Sequence, residues 1–256
     1  VLKTHFKEIA NQNLADDEGG DLGSVTSPKG FSDGFFEFIE LIETLSRKGR
    51  CIDPDEGGQV SLDIMKSLDT FYVSLDGKYC LKSLVPVALK AMELGADPFR
   101  VAVLLDWRDF EELVLEYLSR SGFEGVRSVR LRSRRFEIDV LAVDAVSGYS
   151  LAIDCKHWSP GYSKSWKLRE IARAHRAKVE LMCNECVNLR KGSRILAKAK
   201  WVVPAVVTLT GSLRGYFNGS FIVPIQTFRD FLLNLDYYVG ELSDYDGRVK
   251  NPCWKG

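Results

Sequence analysis

Asp139, Asp154 and Lys156 are the residues of this chain best spaced to act together. They stand in two apolar runs, Phe136-Glu-Ile-Asp-Val-Leu-Ala-Val-Asp144 and Leu151-Ala-Ile-Asp-Cys-Lys-His-Trp158, joined by a short turn around Gly148. Both runs read as strands, in which residues i and i+2 face one side. Glu137 then shares a face with Asp139, and Asp154 with Lys156. The neighbours Ile138, Val140, Leu151 and Ile153 predict burial. A charge in a buried strand is costly unless it is paired, binds a metal or takes part in a reaction. Two carboxylates and an ammonium at one sheet edge therefore predict a centre that holds a cation or moves protons.

The spacing of Asp139 and Asp154-Cys155-Lys156 resembles the core motif of the PD-(D/E)XK nuclease superfamily, the restriction-endonuclease-like fold. It is most similar to the Mrr-like and archaeal Holliday-junction-resolvase-like group. There, a helix carrying Phe-Glu precedes a Glu-Ile-Asp-Val strand and a strand ending in Cys-Lys. Here Phe110-Glu111 opens that helix and Gly122-Phe123 closes it. The likeness covers about residues 106 to 235, and Ile138 replaces the proline for which the superfamily is named. The motif does not extend into the first hundred residues.

The resemblance implies a metal-dependent nuclease hydrolysing DNA, more often inside a strand than from its end, in repair, recombination or restriction. Asp139, Asp154 and the backbone carbonyl of Cys155 would hold Mg2+ or Mn2+, whose hard character suits oxygen ligands. Lys156 would stand beside the attacking water and the scissile phosphate. Glu111 is the supplementary ligand or water-positioning base, because helical spacing puts it on the face of Val114, Leu115 and Leu118. Glu112 lines up with Glu116 and Ser119, facing solvent. Glu137 has two readings, a second acid beside Asp139 or an edge residue balancing nearby arginines. Cutting both strands takes two sites, so a homodimer is implied. A rival class is a nuclease-like module with a silent site that recruits nucleic acid or a protein partner. The intact Asp139, Asp154 and Lys156 set argues against it.

The elements that must position these groups follow from periodicity. Residues 106 to 240 read as the nuclease domain, an α/β fold with a restriction-endonuclease-like mixed central sheet flanked by helices. Its predicted elements are a helix capped by Asp106, strands near 126–132, 136–144 and 149–156, and a long helix over 165–189. Strands at 201–209 and 221–225 follow, with a last helix from Thr227. Residues 1 to 105 read as a mainly helical domain with an acidic loop at 11–30. Its Phe71–Leu81 hairpin turns at Asp76-Gly77, an order of elements like that of a winged helix. Residues 241–256 form a tail.

The formal net charge is zero, yet the charges are segregated. Residues 1–119 carry 12 Lys and Arg against 22 Asp and Glu, whereas residues 120–200 carry 18 against 8. A basic half around the candidate site suits a polyanion, and the acidic front half suits a basic protein partner. Arg130, Arg132, Arg134 and Arg135 crowd the hairpin that delivers Asp139, and Arg169, Arg173 and Arg176 form one stripe of the long helix. Phosphate contact is the functional reading of these arginines, and a solvated helix face is the other reading of the stripe. His175 falls on the apolar stripe and reads as a core histidine. Trp158 either stacks on a base or fills the core. Cys183 and Cys186 are half of a four-ligand metal set at most. Six scattered cysteines predict reduced thiols. With no apolar run of membrane-spanning length and no secretory pattern, the reading is cytoplasmic, with no membrane partner.

Overall fold

The computed structural model describes residues 34–132, 135–158, 165–241 and 247–255. The acidic stretch 11–30 and Arg134 lie outside the described residues. The described residues fold as one compact unit.

Helix α1 (Phe36–Arg47) buries Leu41, Ile42 and Leu45 at helical spacing. It ends where Gly49 and Arg50 turn left-handed, at φ of 67° and 71°. Strand β1 (Cys51–Ile52), helix α2 (Gln59–Lys66) and strands β2 (Phe71–Val73) and β3 (Tyr79–Leu81) follow. The Asp76-Gly77 hairpin forms as the sequence predicts, with Gly77 at φ 85°. Strand β1 adds to its β3 edge, giving a three-stranded antiparallel sheet. Helices α3 (Val85–Glu93) and α4 (Pro98–Ala102) lead to α5 (Trp107–Arg120). Asp97 caps α4 by accepting from the Arg100 amide, and Asp106 caps α5 by accepting from the amides of Arg108 and Asp109.

Strands β4 (Glu124–Val129), β5 (Ile138–Asp144) and β6 (Tyr149–Lys156) form an antiparallel meander. Helix α6 (Ser165–Asn184) and the short α7 (Ser193–Lys198) then carry the chain to β7 (Trp201–Thr208), which lies parallel to β6 along its whole length. Such a connection needs a crossover, and both strands read as continuous apolar runs because helices cover both of their faces. Strands β8 (Gly215–Phe217) and β9 (Ser220–Pro224), helices α8 (Ile225–Leu233) and α9 (Leu235–Glu241), and strand β10 (Val249–Lys250) complete the fold. The large sheet has the order β4-β5-β6-β7-β9-β8, with β10 against the start of β7. It is the mixed central sheet flanked by helices that the sequence predicts.

Two apolar layers clamp this sheet. On one face Val140, Ala142, Leu151, Ile153 and Val203 join α5, α8 and the helices of residues 36–105 in a single cluster running from Leu41 to Val239. On the other, Leu141, Val143 and Ala152 pack under α6 and α7. Among the described residues no helix is long and apolar enough to cross a membrane.

The cysteines correct the expectation of reduced thiols. Cys51 is bonded to Cys80 across β1 and β3, and Cys186, just past α6, is bonded to Cys253. Partners 29 and 67 residues apart leave no local trace in the sequence. The Cys183-Cys186 metal reading also falls away, since Cys186 is already paired and Cys183 is a buried free thiol.

Candidate active site

Asp139 sits where β5 parts from both neighbours. The β4–β5 ladder pairs Arg127 with Val140 and Val129 with Ile138, but it skips the facing positions Ser128 and Asp139. Ser128 has a φ of 56°, a left-handed conformation that costs a residue with a Cβ about 1 kcal/mol. The β5–β6 ladder stops at Val140 with Ile153, one step short of Asp139 opposite Asp154. In its place Asp139 Oδ2 accepts a hydrogen bond from the backbone N–H of Cys155 at 2.7 Å. The carboxylate thereby stands in for a missing ladder bond and is held beside Asp154. Ile138 packs with Leu141 and Val143, not with Val140, so the strict alternation assumed from the sequence is interrupted at this point.

Asp154 lies near the carboxyl end of β6, where ligands commonly bind in sheets with parallel strands. Its side chain is nearly buried and pairs with Lys156. A second cation, Lys178 of α6, has its Nζ 3.9 Å from Asp154 Oδ1. Sequence reading missed Lys178, because it reaches the site only when the crossover lays α6 over β6. His175, one turn before Lys178, is buried and donates from Nε2 to the Ala152 carbonyl at 2.8 Å. Burial holds its pKa below the ordinary histidine value, which fits the core role predicted for it.

Glu111 is half-buried on α5, near enough to Asp139 for the two charges to interact. Glu112 is not free in solvent as its helical position suggests, but half-buried and paired with Arg127 at 3.4 Å. Glu137 takes the charge-balancing role, its two oxygens accepting from Arg130 at 3.0 and 3.1 Å. Arg132 and Arg135 are exposed on the same connection. Arg169, Arg173 and Arg176 are not gathered at the carboxylates. Arg169 lies over the Phe217 ring of β8, and Arg176 pairs with Glu180 and packs beside Gly219. Arg173 is exposed. Trp158 packs partly buried against Leu168, Ala172 and Val206, under the Lys167 ammonium. Another group that sequence reading missed is Asp109, buried on α5 and 3.1 Å from Arg50. Arg50 also donates to Asp106 at 2.5 Å and to the Lys82 carbonyl at 2.7 Å, fastening α5 to the preceding segment.

An uncharacterized protein of Archaeoglobus fulgidus is 31% identical over 137 residues, which make up 53% of this chain and 95% of that protein. The family model Mrr_cat, restriction endonuclease, matches residues 104–192, from just before α5 to just before α7. The chain belongs to the Mrr_cat restriction endonuclease family. The crystal structure of protein VC1899 from Vibrio cholerae matches at 13% identity and a TM-score of 0.31, over 80% of this chain and 50% of that one. This chain thus spans half the length of that structure, and a likeness so distant says nothing further about the site.

Mrr_cat nucleases belong to a superfamily that generally uses divalent metal ions, and the charges of the site fit one. Burial, and then the charge of Asp154, push the Asp139 carboxyl up to about 6. Burial, and then the charge of Asp139, push Glu111 up to about 7. These acids repel one another in a partly dry space, and a hard dication would relieve that repulsion. Among the described residues no three His, Cys, Asp or Glu side chains already converge as a ligand set. The Cys155 thiol is unsuited to nucleophilic chemistry, since burial holds its pKa well above the ordinary value.

Burial and this repulsion together give an Mrr_cat chain with this site a pH signature. Asp139 and Glu111 hold protons to higher pH when folded than when unfolded, so their contribution to stability falls as pH rises between about 4 and 7. Asp139→Asn keeps an acceptor for the Cys155 amide and removes the charge. In EDTA its Tm should exceed that of the wild type, by more at pH 7 than at pH 5. A difference that stays constant across this range would show that folding does not raise the Asp139 pKa.

Proposed function

We propose that this chain is a DNA endonuclease using Mg2+ or Mn2+ and working where β5 and β6 part. The observation that carries the reading is the Asp139 carboxylate bonded to the Cys155 amide, with the Asp154–Lys156 pair alongside. Asp139, Asp154 and the Cys155 carbonyl would hold the ion, which supplies an activated water and neutralises charge on the phosphate. Lys156 orients the attacking water and faces a phosphate oxygen. Glu111, whose proton affinity lies near neutral pH, is suited to take the proton that water loses. Lys178 adds a second positive charge where the phosphorane-like transition state builds up negative charge.

Residues 106–240 make up the nuclease part in this reading, and the excess of acidic residues in 1–105 suits a basic protein partner. Arg130, Arg132, Arg134 and Arg135 would contact phosphates beside the site. Arg169, Arg173 and Arg176 would contact them further along the duplex. Cleaving both strands calls for a second copy of the site, and so for a homodimer. Repair, recombination and restriction are the processes that need such an enzyme.

The test is incubation of the whole chain with end-labelled duplex, single-stranded, flapped and four-way-junction DNA in Mg2+, Mn2+ or EDTA. Internal cuts that need the metal are the expected result. Binding without cutting under every condition would turn the reading to a silent recruitment module.

A further inference from the structure

A cleft of about 540 Å3 opens between α5 and β4, within the ~300–1,000 Å3 range of small-ligand sites. Six of its lining residues give it a distinct chemistry: Trp107, Arg108, Glu111, Arg127, Ser128 and Lys191. Trp107 is 57% exposed at the first turn of α5, an unusual place for the largest apolar side chain. The Arg108 guanidinium lies 4.9 Å from its ring centroid. Arg127 is fixed at the cleft wall, donating to the Arg108 carbonyl at 3.0 Å and pairing with Glu112. Lys191 brings a third cation.

The cleft adjoins the candidate active site through two residues. Glu111 belongs to both, and Ser128 occupies the register position facing Asp139. An exposed indole beside fixed cations suits a nucleobase and its phosphate, since stacking on an aromatic ring is strong and tolerates any base. A base inside a duplex has both faces covered by its neighbours and cannot use such a platform. We propose that this cleft binds an unpaired nucleotide of DNA, with the base stacked on Trp107 and the phosphate held by Arg127 and Lys191. The enzyme then selects DNA whose strand is unpaired beside the bond to be cut. This inference rests on the nuclease reading above for its choice of DNA.

The chain has five tryptophans, so the reporter belongs on the DNA. A duplex with a one-nucleotide bulge carrying 2-aminopurine, and a fully paired duplex of the same sequence, are titrated in EDTA with wild type, Trp107→Ala and Trp107→Phe. The wild type should quench the bulged 2-aminopurine and prefer that DNA. Trp107→Ala should lose the quench and bind the bulged DNA at least about fivefold more weakly, with paired-duplex affinity kept within about twofold. Trp107→Phe should retain most of both effects. Equal wild-type affinity for the two DNAs, or the same loss on both in Trp107→Ala, overturns the proposal. Cleavage in Mg2+ or Mn2+ is scored separately. Metal-dependent cutting with no Trp107 effect on binding sinks the cleft and leaves the nuclease. Trp107-dependent binding with no cutting under any condition does the reverse.

Discussion

Asp154→Ala should lower the rate of DNA cleavage at least about a hundred- to a thousandfold, the loss that follows removal of one electrostatic anchor of a transition state. Folding should survive. The carboxylate is not a hydrogen-bonding support of the sheet, because the β6–β7 ladder at Asp154 is made by the main chain alone. Burial still raises the Asp139 pKa in this variant, but the added repulsion from Asp154 ends. DNA affinity should stay within about tenfold of the wild type and tilt upward, since Lys156 and Lys178 lose the acid that now partly neutralises them. Single-turnover cleavage with titration of binding in EDTA separates the two effects. Full activity in Asp154→Ala would sink the site assignment, whereas a loss of binding equal to the loss of rate would make Asp154 a structural residue.

Breaking the Cys186–Cys253 bond has the largest expected effect on stability. It closes a loop of 67 residues, and in the chain-entropy model a link of that span stabilises the fold by about 4 kcal/mol. At a few degrees per kcal/mol for a chain of this size, Cys253→Ser should lower Tm by roughly 10 °C. Cys51→Ser acts on a shorter loop, of 29 residues, and should cost somewhat less. Both variants are compared with the wild type in non-reducing buffer, where thiol titration after denaturation should find two free thiols in the wild type. Six free thiols, or an unchanged Tm in Cys253→Ser, would show that the bond does not form in solution.

Local patterns carried much of this fold. The caps at Asp97 and Asp106, the Asp-Gly hairpin and the strands bearing Asp139 and Asp154 were all legible, because each signal lies within a few residues of its effect. What sequence reading missed depends on distant segments meeting. Lys178 stands 22 residues beyond Lys156 and meets Asp154 only through the parallel crossover. Asp109 is buried because Arg50 reaches it from 59 residues earlier. Both disulfides and strand β10 are long-range pairings of the same kind. Glu112 fooled the helical wheel because Arg127 of β4 covers its face of α5. The left-handed Ser128 is a different sort of omission, since serine carries no marker for positive φ as glycine does.

The apolar cluster that joins Leu41 to Val239 also bears on how the protein is made. Tyr117 of α5 leaves the ribosome well before Phe228 of α8, whose ring it meets at 6.1 Å, and at ~5–20 residues per second the 111 residues from one to the other take roughly 6–22 s to synthesise. Throughout that interval Tyr117 and the apolar side of α4 lack the helix that will finally cover them. A nascent chain of this protein therefore exposes a sticky helical face while translation continues. Its yield in a cell should depend on chaperones that hold such faces, more than the stability of the finished fold would suggest.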